Sequence, residues 1–441
     1  MSQQPIIIPL NDNNQPDMTP FQLQDLITKH GKQAVTTKLS VMLQQGIITF
    51  PWKRYAIKEP ISYFFDNLLR YEPTITHNPI TSIAGVRFQA GLFPLTYRDA
   101  SNPSVTNHAN QPKYMTFISY NSDYSSIDVI TDLFQEPIRM KCNLRDMLPP
   151  LQVWTDSKYN FKIIDKAIEL VLVPNTIDST YTQVDRFDSV ALREAVYYNT
   201  KECTLFKSTL AKGVIEFFQA RSVLDFSAGW GDRLIGAIAA RVGVYHGFDP
   251  NTDLEKGHDE MIRQFANPKQ NIRVVYEPFQ SDAVLEFLLE TRVTYDLVFT
   301  SPPFFDFEVY TTKANQSASM YSKFYDWLVQ FLFVSLQRSW NQLGYDGHLV
   351  IYITDTKNSP YTCELMNLFI GSRLEGSYYN GVMTSQNKDS KNLHRPMWVW
   401  TKLKSNTAQA SHLTQASTYQ TAFAKTAKSL WEMLPKISKQ K

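Results

Sequence analysis

The chain has 441 residues, with 44 Lys and Arg against 42 Asp and Glu for a net charge of +2, and 43% of its residues are hydrophobic. That composition can bury one large core and a second smaller one, and the near-neutral balance excludes a global basic field that would grip nucleic acid without a local patch. The three cysteines, Cys142, Cys203 and Cys363, lack paired metal-ligand spacing, and the longest apolar stretch, around Trp327 to Leu336, is far short of a membrane span. The start of the chain has neither the basic region nor the apolar core of a signal peptide, so an intracellular, cytoplasmic protein with no metal and no membrane partner is expected.

Residues 1–190 read as a mixed α/β region. Pro20 to His30 and Lys32 to Gln45 are predicted helices around Gly31, with Lys29, Lys32, Lys38, Lys53 and Arg54 nearby. A packed hairpin is the plainer reading of this pair, and a helix-turn-helix docked on DNA the other. Tyr114 to Tyr120, Ile127 to Phe134 and Ile138 to Cys142 read as strand, helix and strand, their aromatic residues serving as core. A region able to choose a target fits here, since too few residues separate the later motifs to hold one.

From 191 to 404 the pattern alternates. Tyr198 to Lys207 leads into a helix ending near Phe218. A buried strand from Val223 then runs into a glycine turn and a helix, Arg233 to Arg241. Val244 to Phe248 (strand), Thr252 to Ala266 (helix), Ile272 to Tyr276 (strand) and Ser281 to Thr291 (helix) follow, then the strand Asp296 to Thr300. A long amphipathic helix from Tyr321 to Leu343, a strand Gly347 to Ile353 and a helix Cys363 to Gly371 continue the series. Gly376 to Ser385 and Pro396 to Lys402 can close it as an antiparallel pair. Alternation of this kind predicts a doubly wound, mostly parallel sheet. After 404 the chain is rich in Ser, Thr, Ala, Gln and Lys, and 405–441 reads as a flexible basic tail, with a helix at Tyr419 to Leu434 as the alternative.

Two turns on strand ends carry the chemistry. In Asp225-Phe226-Ser227-Ala228-Gly229-Trp230-Gly231 the paired glycines stand where backbone must approach a ligand closely, and Asp249 ends the next strand where an open α/β sheet places a carboxylate on a ribose diol. A third glycine of the G-x-G-x-x-G type is missing, which counts against NAD. In Ser301-Pro302-Pro303-Phe304 the prolines fix a rigid turn after an apolar strand. The Ser301 hydroxyl and the Pro302 carbonyl offer acceptors to an amino group, and Phe304 offers a ring face for a base.

These motifs, DFSAGWG, FDP and SPPF, resemble the class I S-adenosylmethionine-dependent amino-methyltransferases that act on N4 of cytosine or N6 of adenine in DNA. The resemblance implies a Rossmann-like methyltransferase fold with a seven-stranded, mostly parallel sheet and S-adenosylmethionine as cofactor. It implies that Asp225, Phe226, Ser227, Ala228, Gly229 and Gly231 hold the methionine part and Asp249 with Pro250 the ribose. Phe279 and Asp282 then fall near the adenine, and Phe206 lies over the methionine end, although an aromatic at a helix start also reads as core and Asp282 equally as a helix cap. Ser301, Pro302, Pro303 and Phe304 would hold the target amine. Serine at the first of these favours cytosine N4 over adenine N6.

Ring-carbon methylation needs a cysteine nucleophile, and none lies near the Pro-Pro turn in sequence. Asp306 and Glu308 beyond the turn read as a solvated loop more readily than as acceptors. Lys388, Lys391 and Arg395 occupy the connection between the last two strands, from which a loop can reach a phosphate backbone. The resemblance makes DNA the expected partner. RNA, another planar amine, or an inactive methyltransferase-like subunit that only binds nucleic acid remain alternatives.

Overall fold

The computed structural model of the protein describes residues 5–78, 114–120, 127–173, 184–359, 362–387 and 395–404. The basic tail, the helix predicted at 419–434, and Lys388 and Lys391 lie outside the described residues. The strands are β1 Thr74–Asn78, β2 Tyr114–Tyr120, β3 Asn143–Leu144, β4 Ser222–Asp225, β5 Val244–Phe248, β6 Asn271–Val275, β7 Tyr295–Thr300, β8 Glu308–Val309, β9 Leu343–Tyr352, β10 Ser377–Asn387 and β11 Met397–Lys402. The chain divides into two units, Met1–Pro60 with Gln135–Thr204 and Glu308–Tyr310, and Ile61–Phe134 with Leu205–Phe307 and Thr311–Lys441.

The first unit is mainly helical. Thr19 starts the helix Pro20–His30 with a capping box closed by Gln22, and Gly31, at φ 85°, turns the chain into Lys32–Gln44. Leu23, Val35, Leu39, Ile163, Ile164 and Leu192 form its fully buried centre. Lys29 is paired with Asp25, Lys32 with Asp165 and Lys53 with Glu202, so three of the five cations noted here already have carboxylate partners. The packed-hairpin reading describes this geometry.

The second unit is built on a nine-stranded sheet in the order β1-β2-β10-β11-β9-β7-β4-β5-β6. Strands β6, β5, β4, β7 and β9 run parallel, and β11 is antiparallel to both β9 and β10. Within the sheet, β10-β11-β9-β7-β4-β5-β6 are the Rossmann-like, seven-stranded and mostly parallel arrangement expected, and β1 and β2 extend it beyond β10. The chain moves outward from β4 through β5 to β6, then returns to the other side of β4 as β7. That reversal makes the β4–β7 boundary the topological switch point, where open sheets bind ligands at the carboxyl ends of strands. Every residue of β4 is buried, as befits a strand covered on both faces.

Three expectations are corrected. Strand β2 is not confined to a separate amino-terminal region, because it pairs in parallel with β10 from Gly381↔Tyr114 to Asn387↔Tyr120. Ile138 to Cys142 is not a strand: the helix Asp132–Arg139 continues through Pro137, and its last turn is held by buried Arg139, which donates to the Cys203 carbonyl at 2.7 Å and pairs with Glu202 at 3.0 Å. The long amphipathic helix begins at Phe324 rather than Tyr321 and contains a π-helical stretch, Trp327–Phe333, nearly all of which is buried. Among the described residues, no helix is long and apolar enough to cross a membrane, and no group of three or more His, Cys, Asp or Glu is placed to hold a metal ion.

Candidate active site

The turn after β4 is braced from both sides. Asp225 is fully buried, and its Oδ2 accepts from Arg233 Nε at 2.7 Å and from the Tyr245 hydroxyl at 3.0 Å, while Oδ1 accepts from the Ser227 N–H at 3.2 Å. Arg233 also donates to the Ser227 carbonyl. Asp225 therefore acts on the turn as a strut, with both carboxylate oxygens engaged by protein donors.

Gly229 and Gly231 adopt φ of 58° and 94°, a region that disfavours any residue with a Cβ. The Gly229 N–H donates to Asp249 Oδ2 at 2.9 Å, and its carbonyl lies 2.9 Å from His258 Nε2. A carbonyl only accepts, so Nε2 carries the proton and Nδ1 accepts from the Tyr276 hydroxyl at 3.0 Å. Burial holds the His258 pKa down at about 4, which keeps the ring neutral in that role. Asp249 also accepts from the Asn251 N–H at 2.9 Å, and burial raises its carboxyl to about 6. Its two oxygens keep lone pairs beyond these two backbone bonds.

The space around the turn is asymmetric. A Cβ on Gly231 would sit 2.9 Å from Met261 Sδ, whereas one on Gly229 would meet only the Ser227 carbonyl, at 3.8 Å. The turn is thus packed down at Gly231 and open at Gly229. Ala228 is fixed below by its N–H bond to the Phe248 carbonyl at 2.8 Å.

Phe226 and Phe279 stack with centroids 5.4 Å apart and are both buried in the core. Asp282 is exposed in the first turn of its helix, whose cap is Ser281, bonded to the Val284 N–H. The Pro250 carbonyl accepts from Asn315 at 2.8 Å. Phe206 sits edge-on to Tyr352 at 5.0 Å and to Phe299 at 5.7 Å, with the Arg233 guanidinium 5.3 Å from its centre.

β7 pairs with β4 through Val223↔Leu297 and Leu224↔Val298, so the Pro-Pro turn leaves the same edge of the sheet as the glycine turn. Ser301 and Pro303 are partly exposed, and Pro302 and Phe304 are buried. Phe305 takes a left-handed φ of 56°, held by its ring against Phe324 and Trp327 at 5.8 and 5.7 Å. Phe304 does not offer the open face expected of it. The residue is 8% exposed, and the Arg395 guanidinium lies 4.9 Å from the centre of its ring. Asp306 accepts from Asn358 at 2.9 Å, and Glu308 accepts from the Thr204 N–H at 2.9 Å and the Tyr310 hydroxyl at 2.6 Å, so neither carboxylate is simply solvated.

Sequence reasoning missed Arg233, Tyr245, His258 and Tyr276. Arg233 did leave a signal: it is the one cation in the otherwise largely apolar helix Asp232–Ala239, and such a residue needs a partner. The others come from elements whose packing alone brings them to the turn.

No protein-family model and no curated protein matches the chain. Similar solved structures include an rRNA methylase from Streptococcus thermophilus (10% identity, TM-score 0.30, 46% of this chain and 100% of that one). TrmN from Thermus thermophilus is 13% identical with a TM-score of 0.31, over 45% of this chain and 49% of that one. A SAM-dependent methyltransferase from Agrobacterium tumefaciens is 18% identical with a TM-score of 0.31, over 47% of this chain and 65% of that one. The chain thus spans about half of TrmN and under two thirds of the Agrobacterium protein.

Proposed function

We propose that this chain transfers a methyl group from S-adenosylmethionine to an exocyclic amino group of a nucleobase in DNA, N4 of cytosine before N6 of adenine. The observation that carries the reading is the pairing of two strand-end turns at the switch point: a braced glycine turn with Asp249 beside it, and Ser301-Pro302-Pro303 on the adjacent strand.

The residues present fit the cofactor. The open side of Gly229 leaves room at the turn, and Asp249 keeps acceptor capacity for a ribose diol after its two backbone bonds. When bound, the cofactor supplies a methyl on an activated sulfonium. The work left to the protein is positioning and electrostatics. An exocyclic amine is a poor nucleophile because its lone pair is delocalised into the ring. The Ser301 hydroxyl and Pro302 carbonyl accept hydrogen bonds from its N–H groups, which draws them out of the ring plane and localises the pair for in-line attack; the one proton displaced from the methylated nitrogen leaves to water. A base within a duplex must first be flipped out to reach this turn.

RNA is the acceptor named for the Streptococcus thermophilus structure, and the test carries it as a parallel arm. Labelled methyl transfer is measured to duplex DNA, single-stranded DNA and RNA, with Ser301→Ala as control and products digested to nucleosides for mass spectrometry. Label in N4-methylcytosine or N6-methyladenine from DNA, lost in the variant, is the expected result. Label in RNA alone moves the acceptor to RNA. Tight cofactor binding with no label on any polymer defeats the nucleic-acid reading.

A further inference from the structure

Arg395 was noted in sequence as a cation able to reach a phosphate, yet in the structure its guanidinium lies over aromatic rings, 4.9 Å from the centre of Phe304 and 5.5 Å from that of Phe307. Among the described residues it makes no hydrogen bond and no ion pair, so its N–H donors are committed to none of them. Phe304 beneath it is 8% exposed, with the Tyr352 and Phe307 ring centres 6.2 and 6.4 Å from its own. A flipped base stacks on a ring face at van der Waals distance, the same slab that the planar guanidinium fills. Base and guanidinium cannot both occupy it.

We propose that Arg395 is a displaceable stand-in for the target base: it fills the slot on Phe304 in the free enzyme and leaves it for a backbone phosphate when a polynucleotide docks. The proposal rests on the methyl-transfer reading above. Guanidinium suits the exchange because it both stacks on aromatic faces and forks onto phosphate oxygens through charge-assisted bonds. Its backbone is anchored, since Pro396 and Met397 that follow are buried and Met397 opens β11. The move is therefore one of side-chain torsions. The consequence is selectivity: a base arriving on a phosphate-bearing strand opens its own slot, while a free nucleoside must compete with the arginine for the ring.

The test compares kcat/KM on a polynucleotide with that on the matching free nucleoside, for wild type, Arg395→Ala and Arg395→Lys. Melting and S-adenosylmethionine binding confirm that each variant is folded. Removing the stacked cation is expected to raise the nucleoside rate by about three- to thirtyfold, the range that a cation–π contact represents. The polynucleotide rate should fall, and the slope of its salt dependence should decrease by about one charge. Lysine, which keeps the charge but not the planar stack, should show the nucleoside gain with a smaller polymer loss, and it decides the matter if the alanine variant does not fold. A nucleoside rate unchanged or lowered in the variants overturns the stand-in role while leaving the methyl-transfer reading intact. Wild type inactive on every polymer overturns that reading itself, and the proposal with it.

Discussion

The turns that leave β4 and β7 at the same edge of the sheet are built in opposite ways. Around the first, Arg233 and Tyr245 are bonded to Asp225, and Asp249 and His258 hold the N–H and the carbonyl of Gly229. Around the second, rigidity comes from two prolines and packed rings, and two of its polar side chains, Ser301 and Arg395, are tied to no protein acceptor or carboxylate among the described residues. The difference suits two kinds of ligand. A cofactor that is the same in every turnover is met by a fixed frame, whereas an acceptor that must swing into place needs side chains able to change partners.

The largest effect is expected from breaking the frame at Arg233. Its side chain is 5% exposed and that of Asp225 is 0% exposed. Arg233→Ala would leave a buried carboxylate with only the Ser227 N–H and the Tyr245 hydroxyl, at a cost of about 3–5 kcal/mol. Urea unfolding followed by fluorescence measures it, and a loss below about 1 kcal/mol would mean that the strut contributes little. Next comes Gly231→Ala. It places a methyl 2.9 Å from Met261 Sδ at a φ of 94°, so about 1–3 kcal/mol is expected, together with weaker S-adenosylmethionine binding by calorimetry.

Sequence made the turns legible and their braces largely not. Glycine and proline impose backbone geometry where they stand, so Gly229, Gly231, Pro302 and Pro303 mark their turns without help from the rest of the chain. Val244 to Phe248 was readable end to end because a short strand bounded by turn signals is a local pattern. Tyr245 and Tyr276 looked like any strand aromatic, and His258 like a helix residue, because their partners are supplied by packing. The pairing of β2 with β10 joins Tyr114 to Gly381, a register that neither segment announces alone. Ile138 to Cys142 read as a strand, whereas the helix runs on to Arg139, whose partners Cys203 and Glu202 are distant in sequence. Arg395 read correctly as basic, but its position over Phe304 depends on the fold of the whole sheet.

A finer test of the frame uses pH, because the two side chains that grip Gly229 titrate in opposite senses. Asp249 is raised from 3.8 to about 6, so the native state keeps a proton that the unfolded state has released; stability falls as pH rises through that window. His258 is lowered from 6.5 to about 4, so its contribution is complete above 6.5 and is lost as pH falls towards 4. In wild type the two oppose each other. Asp249→Asn should therefore gain stability relative to wild type on going from about pH 4 to about pH 7, and the deficit of His258→Gln should shrink on acidification. Melting temperatures at the two pH values check both signs, and parallel curves for wild type and both variants would remove the titrations from the frame.

The smallest effect on stability is expected at the other turn. Ser301 is partly exposed, and among the described residues its hydroxyl has no protein partner, so Ser301→Ala leaves no buried group unpaired. A change within about 0.5 kcal/mol is expected by urea unfolding, alongside a loss of kcat of about a hundredfold or more if the hydroxyl accepts a hydrogen bond from the amine in the transition state. S-adenosylmethionine affinity should stay at the wild-type value, since the glycine turn and Asp249 are untouched. A drop in stability comparable with that of Arg233→Ala would show that the acceptor turn is braced as tightly as the cofactor turn, and the contrast between them would fail. Unchanged kcat with unchanged stability would instead move amine recognition from Ser301 to the Pro302 carbonyl.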